Sequence, residues 1–261
     1  MRRAAWYPCV VLTAVVCLAP SVGADPVAVR FAEGVVHGFL TLRSPGGPLL
    51  ASGDLLQTAS GGRVRSRLVF HFADGSVSDE TAVFTQRGHF RLISDHVIQR
   101  GPAFERSVEM AIDANRGLVT VRHRKEGGDE KLEREEMKLP PDVANGMVPV
   151  LLKNVRPGAV AQTFSMVAAT PKPRLVKLEV SVAGKDSLSI GGAPHTATHY
   201  VLKVDIGGLS GLIAPLLGKE PPESHVWILD GDVPAFLRSQ APMFIGGPLW
   251  QTDLVSPAWP K

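Results

Sequence analysis

The chain has 261 residues, of which 44% are hydrophobic, with 28 lysines and arginines against 25 aspartates and glutamates. Removal of Arg2 and Arg3 with a predicted export signal leaves 26 basic residues against 25 acidic ones, and this balance gives no reason to expect nucleic acid as a partner. Both cysteines, Cys9 and Cys17, lie within that signal, which excludes a disulfide and a thiol nucleophile from the mature chain.

Residues 1–24 have the layout of a cleavable secretory signal. Arg2 and Arg3 begin it, residues 9–19 form its apolar run, and small residues end it at Ala24. The run is shorter than the roughly 20 residues that cross a bilayer, so we predict no transmembrane span after signal removal. Neither cysteine follows a small residue as a lipidation signal requires. We therefore expect an exported protein, periplasmic or secreted, that begins at Asp25.

Apolar and polar side chains alternate through residues 35–138, and short turns interrupt the alternation. In the stretch 104–112, for example, Phe104, Val108 and Met110 share one face. This period is typical of half-buried strands, and turns at such intervals are typical of an antiparallel meander. We predict about eight strands before residue 140. They would form a mainly β fold, a curved antiparallel sheet or incomplete β-barrel.

Two local patterns refine this prediction. Asp74-Gly75 predicts a two-residue type I′ hairpin turn, because both central positions of that turn need a positive φ. In the preceding strand, Arg63, Arg65 and Arg67 share a face opposite to Val64. We expect these arginines to form a solvated outer face, with an anion site as the alternative.

The pattern changes at Pro140-Pro141, where residues 139–158 form a possible joint within a single β-rich domain, 25–261. Asp142 is a plausible N-cap for one main helix over 143–155, which carries Met147 and Leu151 at helical spacing. Alternation resumes in 176–182 and 200–206. Residues 226–229 and 249–255 are predicted to be closing strands.

Residues 207–218 are too rich in glycine for a confident helix and too apolar for an ordinary loop. A buried core segment is one interpretation. An apolar flap beside the curved sheet, of the kind that gates a lipid cavity, is the other. Its apolar members are Leu212, Ile213, Leu216 and Leu217.

Motifs for catalysis or metal binding are absent from the sequence. His195 and His199 would face one metal ion on a helix, but their neighbours favour a strand, on which they would lie roughly 13 Å apart. There is no Gly-x-Ser-x-Gly elbow, and the acidic run 129–136 is interleaved with basic residues as in a solvated edge. We predict no metal site, no cofactor and no catalytic residue.

The layout resembles that of a known group. A predicted β-meander and proline-flanked helix precede the segment 190–200, and Trp227-Ile-Leu-Asp and Gly246-Gly247-Pro248 follow it. This arrangement resembles bacterial periplasmic proteins classified as a domain of unknown function, whose sheet is similar to that of the LolA and LolB lipoprotein carriers. The resemblance carries over no catalytic residues. Unlike LolB, the sequence has no lipidation signal, so we expect a soluble protein.

The preferred functional hypothesis is therefore non-enzymatic: an exported protein that binds a lipid, lipoprotein or other hydrophobic ligand in a concave cavity. The alternatives are a structural or protein-interaction module of the cell envelope and, third, a hydrolase without a recognisable motif. The sequence leaves the oligomeric state open. The residues expected to line the cavity are Met147, Leu151, Leu212, Ile213, Leu216, Leu217 and Trp227.

Overall fold

The computed structural model describes residues 26–125, 127–156, 158, 162–190, 192–205 and 221–255, and this part contains fourteen strands and one short helix. The predicted signal and flap lie outside it. The first eight strands are β1 (Val36–Arg43), β2 (Leu49–Ser60), β3 (Arg63–Phe72), β4 (Val77–Arg87), β5 (His89–Arg100), β6 (Arg106–Asp113), β7 (Leu118–Lys125) and β8 (Glu130–Glu136). The helix α1 (Val148–Asn154) follows, and then β9 (Gln162–Ala168), β10 (Arg174–Ile190), β11 (Ala193–Asp205), β12 (Ser224–Leu229), β13 (Phe236–Pro242) and β14 (Leu249–Val255).

All fourteen strands form one curved antiparallel sheet that is not closed, which confirms the predicted fold class. The order is β8-β7-β6-β5-β4-β3-β2-β1-β14-β13-β12-β11-β10-β9. The first and last strands therefore pair in the middle of the sheet, with Leu40 opposite Leu254. The strands that are adjacent in sequence on either side of α1, β8 and β9, are the two edges.

This order dictates the path of the segment between β8 and β9. Because these strands lie at opposite edges, the chain has to cross the inner face of the curve to connect them. We call residues 139–156 the strap. Its buried residues Met147 and Leu151 share one core with Phe84 of β4 and Phe164 of β9, so the strap packs between the two halves of the sheet.

Alternation along the strands builds the core beneath the strap. On β3, Val64 and Phe70 are buried while Arg63, Arg65 and Arg67 are exposed, which confirms the predicted outer face. The main core draws on β3 to β7, β9 to β12 and the strap. A second, aromatic core lies over β1 to β3 and β14, and contains Leu40, Leu42, Ala51, Phe70, Phe72, Phe104 and Trp250.

The predicted helix is shorter than the sequence suggested. It begins after Met147, which has no side-chain cap, and has a proline in its first turn. The prediction of Asp142 as N-cap is wrong, because its carboxylate instead accepts hydrogen bonds from the backbone N–H and the hydroxyl of Ser165 on β9. Residues 143–147 are consequently an irregular part of the strap rather than the first turn of a helix.

The hairpin between β3 and β4 also differs from the turn that the sequence predicted. The Gly75 N–H donates to the Phe72 carbonyl, and the Phe72 N–H donates to the carbonyl of Ser76. The loop therefore has three residues, with Gly75 at φ +84°, rather than the predicted two-residue type I′ turn. The Asp74 carboxylate accepts the Ser76 N–H at 2.8 Å and stabilises this longer loop.

The acidic run is an edge strand, as the interleaved charges predicted. β8 is exposed along almost its whole length and has β7 as its neighbour. Arg122 and Arg124 of β7 form ion pairs with Glu130. A charged edge of this kind discourages another chain from adding a strand to the sheet. No helix in the described part of the chain is long and apolar enough to cross a membrane.

Candidate functional site on the inner face

The first end of the strap is held to β9 by two polar side chains. The Asp142 carboxylate accepts the N–H and hydroxyl of Ser165, each at 3.0 Å. The Asn145 amide accepts the Val167 N–H at 2.8 Å and donates to the Val167 carbonyl at 3.0 Å. These side chains take the place of a neighbouring strand along this edge. One isolated parallel bridge, between Val143 and Ser165, accompanies them.

The second end is held to the segment before β1. The Asn154 side-chain oxygen accepts the backbone N–H of Arg30 at 2.8 Å and that of Phe31 at 2.7 Å. Lys153 forms an ion pair of 2.5 Å with Glu33, whose carboxylate also accepts from Gln57 of β2 at 2.9 Å. The Lys153–Glu33 ion pair and the hydrogen bonds around it form a buried network in which each polar group has a partner. The strap is thus attached at both ends largely through side chains.

The underside of the strap is apolar. Met147 and Leu151 are almost fully buried, with 1% and 3% of their surfaces exposed. Val27, Phe90 and Phe164 are among the residues that line a narrow apolar space against them, which leaves no volume that a water molecule could enter. An ordinary ligand pocket has roughly 300–1,000 Å³. A ligand of that size can therefore enter only if the strap moves away from the sheet.

A pair of carboxyl groups lies beside this apolar space. Glu80 of β4 and Asp95 of β5 are close enough for the charge of Glu80 to raise the pKa of Asp95, although burial is the larger cause. Burial also raises the pKa of Glu80. Only 1% of the Asp95 surface is exposed, and neither of its carboxylate oxygens has a hydrogen-bond partner.

The strap passes directly over this pair at Gly146. Its backbone has φ +64°, and a Cβ atom there would lie 2.5 Å from Ala82 and 3.1 Å from an Asp95 carboxylate oxygen. Glycine is therefore required both by conformation and by the close approach. Since Met147 is the next residue, the carboxyl pair and the apolar space share the same cover.

The predicted lining residues do not all meet. Met147 and Leu151 lie together on the strap, whereas Trp227 belongs to a separate small cluster with Leu188, Ala197 and Leu237. Val226 and Ile228 face the main core, so Trp227 between them faces the outer side of the sheet. Leu212, Ile213, Leu216 and Leu217 lie outside the described residues.

Trp227 contributes instead to a polar cluster on the outer face. Its ring stacks on His199 with centroids 4.4 Å apart, and its N–H donates to Asp186 at 2.7 Å. Nε2 of His199 lies 2.9 Å from Nδ1 of His225, and its Nδ1 lies 3.3 Å from Asp186. Burial lowers the pKa of His199, Asp186 opposes this shift, and His225 adds to it.

The structure also places the histidines that the sequence singled out. His195 and His199 both lie on β11, as predicted, so they follow one strand rather than one helical turn. Within the described ranges, no group of three or more histidine, aspartate, glutamate or cysteine side chains could hold a metal ion. The paired neighbour of His199 is His225 on β12, which the sequence spacing did not indicate.

The Glu80–Asp95 pair was also missed by the sequence analysis, although β4 carried a signal for it. Along this strand Ser78, Ala82 and Phe84 are buried positions on one face. Glu80 falls in the same row, so alternation places a charged side chain among core residues. Asp95 lies beside Glu80 because β4 pairs with β5. In this pairing Ala82, two residues from Glu80 on β4, is opposite Asp95.

Comparison with known proteins gives structural neighbours only. No protein-family model matches this chain, and no curated protein matches it either. The chain is similar to the hypothetical lipoprotein YmcC of Escherichia coli K12, with 11% identity, a TM-score of 0.41 and 86% of each chain covered. It is also similar to a beta-barrel-like protein of the domain of unknown function DUF1849 from Brucella abortus. That match has 12% identity and a TM-score of 0.44, and covers 89% of this chain and 98% of the other.

Proposed function

We propose that this protein is an exported, non-enzymatic protein of the cell envelope that binds a hydrophobic or lipidated ligand between the strap and the inner face of the sheet. One observation carries the proposal: a segment with an apolar underside crosses the open sheet and is fastened mainly by side chains. The resemblance to the LolA and LolB carriers found in the sequence points in the same direction.

The attachment to β9 is weak enough to release. Asp142 accepts two hydrogen bonds from Ser165, Asn145 accepts one from Val167 and donates one to it, and the Ala144 N–H donates a fifth bond to the Ser165 carbonyl. At about 1 kcal/mol net for each, these five bonds contribute roughly 5 kcal/mol, within reach of local opening in a folded protein. A ligand that fills the exposed space would offset this loss by burying the apolar surfaces of Met147, Leu151 and Phe164 again.

The second candidate is a structural or protein-interaction module, and the tight packing favours it. Met147 and Leu151 are both buried core residues, and the space beside them has no room for a water molecule. On this interpretation the strap is a permanent part of the core. The two functions differ in one respect that can be measured, namely whether the strap has to leave the sheet for the protein to work.

A reversible disulfide bond between the strap and β9 distinguishes the two candidate functions. Cys9 and Cys17 precede Asp25, so Asp142→Cys with Ser165→Cys in a chain beginning at Asp25 adds the sole pair of thiols, and the native side chains already meet at 3.0 Å. We expect the reduced variant to take up an uncharged fluorescent naphthylamine probe and the oxidised variant to lose at least tenfold in affinity. The reduced form is the matched control, because it carries the same substitutions.

Two outcomes would contradict the proposal. Equal uptake by the oxidised and reduced forms would show that the strap does not gate the site. Absence of uptake by the native chain would remove the ligand-binding function altogether and leave the structural module. Thermal unfolding of both forms shows that the comparison is made on folded protein.

A further inference from the structure

We propose that Glu80 and Asp95 form a subsite for the ammonium head of an amphiphilic amine whose apolar tail lies beneath the strap. This inference rests on the proposed function, because it assigns the chemistry of the ligand bound at the same face. It turns a general hydrophobic site into one with a polar end, at Asp95 below Gly146, and an apolar end, at Met147 and Leu151.

The first argument is the unsatisfied state of Asp95. Asp95 is 1% exposed, both carboxylate oxygens lack a hydrogen-bond partner, and the backbone N–H of His96 is the smallest of the three influences on its pKa. Buried polar groups in folded proteins are nearly always hydrogen-bonded, and an exception calls for an explanation. A donor that is bound during function supplies that explanation.

The second argument is charge. Glu80 brings a second carboxyl group to the same place, and neither acid forms an ion pair within the described ranges. The Gly146 turn above them brings backbone rather than a basic side chain. Two adjacent buried acids without a cation hold a proton between them, and a positively charged partner can take the place of that proton where a neutral or anionic one cannot.

The third argument selects the kind of cation. A primary ammonium has three N–H donors and can serve two carboxyl groups at once, whereas a hydroxyl has one. Calcium and magnesium need six or more oxygen ligands, which two carboxyl groups cannot supply without much water. The described residues also contain no group of three or more acidic, histidine or cysteine side chains arranged for a metal.

The fourth argument is position. Asp95 and Phe90 lie on the same strand, five residues apart, and Phe90 is part of the wall of the apolar space. At about 3.3 Å per residue this separation is on the order of 16 Å along β5. An amphiphile with its head at Asp95 can therefore extend its tail along the strand toward Phe90 and Leu151.

Competition with ligands that share a tail tests the head-group preference. Dodecylamine, dodecanol and dodecanoate are each titrated at pH 7, below their aggregation concentrations, and their ability to displace the uncharged naphthylamine probe is measured. We expect dodecylamine to compete at least tenfold better than dodecanol, and dodecanoate to be the weakest. Butylamine, which has the head without the tail, should compete at least tenfold less well than dodecylamine.

Substitution then assigns the preference to the pair. In Asp95→Asn the advantage of dodecylamine over dodecanol should fall to twofold or less, while the probe still binds. The matched control is Asp79→Asn, since Asp79 is adjacent to Glu80 on β4 but faces outward, where it forms an ion pair with Arg67. This control should keep the full preference.

The outcomes separate this inference from the proposed function. Loss of probe binding by the native chain would defeat both. Probe binding with equal competition by the three dodecyl compounds, or a preference that survives in Asp95→Asn, would overturn the ammonium subsite and leave the apolar site. Competition by butylamine as strong as that by dodecylamine would overturn the assignment to an amphiphile.

Discussion

Asp95 is a residue that lowers the stability of the fold and that the proposed function requires. Burial and the nearby Glu80 raise the pKa of its carboxyl group well above the ordinary value. A raised pKa in the folded state means that the fold is destabilised once the carboxyl group ionises, so stability is lost as the pH rises through that pKa. A residue kept at such a position without a partner is typical of a binding site.

Asp95→Asn should therefore stabilise the protein in a pH-dependent way. We expect the variant to exceed the native chain in free energy of unfolding by roughly 1–3 kcal/mol at pH 8, because an amide carries neither a buried charge nor the cost of taking up a proton. The advantage should shrink as the pH falls toward the ordinary pKa of aspartate, about 3.9. Chemical denaturation of both proteins across this range measures it.

Asp79→Asn should change the stability of the protein in the opposite direction. A hydrogen bond from Arg67 is the main cause that lowers the pKa of Asp79, so its carboxylate stabilises the fold above the ordinary pKa and this contribution is lost as the pH falls. The control variant should thus be less stable than the native chain at neutral pH. An Asp95→Asn variant that is less stable than the native chain at pH 8 would contradict the account of the pair.

At the scale of elements, α1 shows why local sequence patterns overestimate a helix. Apolar spacing over 143–155 suited a helix, yet the described helix covers Val148–Asn154 only. Asn145 would weaken a helix interior, and both it and the expected N-cap Asp142 hydrogen-bond strand β9 instead. The competing partner is distant in sequence, so propensity and periodicity could not reveal it.

Substitution of Asn154 tests the attachment of the strap to the segment before β1. In Asn154→Ala, the Arg30 and Phe31 N–H groups lose their acceptor, so we expect their hydrogen exchange to quicken on the order of tenfold. The Val29 N–H donates to the Gly88 carbonyl and should keep its protection. Asn115→Ala, in an exposed turn, is the matched control.

Unchanged exchange at Arg30 and Phe31 in Asn154→Ala would show that the strap is not what fixes the segment before β1. Exchange that quickens across β4 and β5 as well would show that the substitution opens the whole core. Either result would contradict an attachment that acts at one end of the strap.

At the scale of the whole molecule, the sequence predicted elements better than their arrangement. Alternation correctly indicated eight strands before residue 140, the arginine face of β3 and the charged edge β8. It did not indicate that β1 pairs with β14, because that pairing joins the two ends of the chain. This pairing leaves β8 and β9 at opposite edges of the sheet, so the strap has to connect them across its inner face. Local sequence patterns therefore could not predict that Gly146 of the strap lies over Glu80 and Asp95.

The central claim is that the inner face of the sheet holds a ligand beneath the strap. Native mass spectrometry of the exported chain, purified without detergent, tests it most directly, with a solvent-extracted sample as the control. The account predicts a second species, heavier than the polypeptide by the mass of a small amphiphile, that disappears on extraction and returns when dodecylamine is added. A single species at the mass of the bare polypeptide, both before extraction and after addition of dodecylamine, would contradict it.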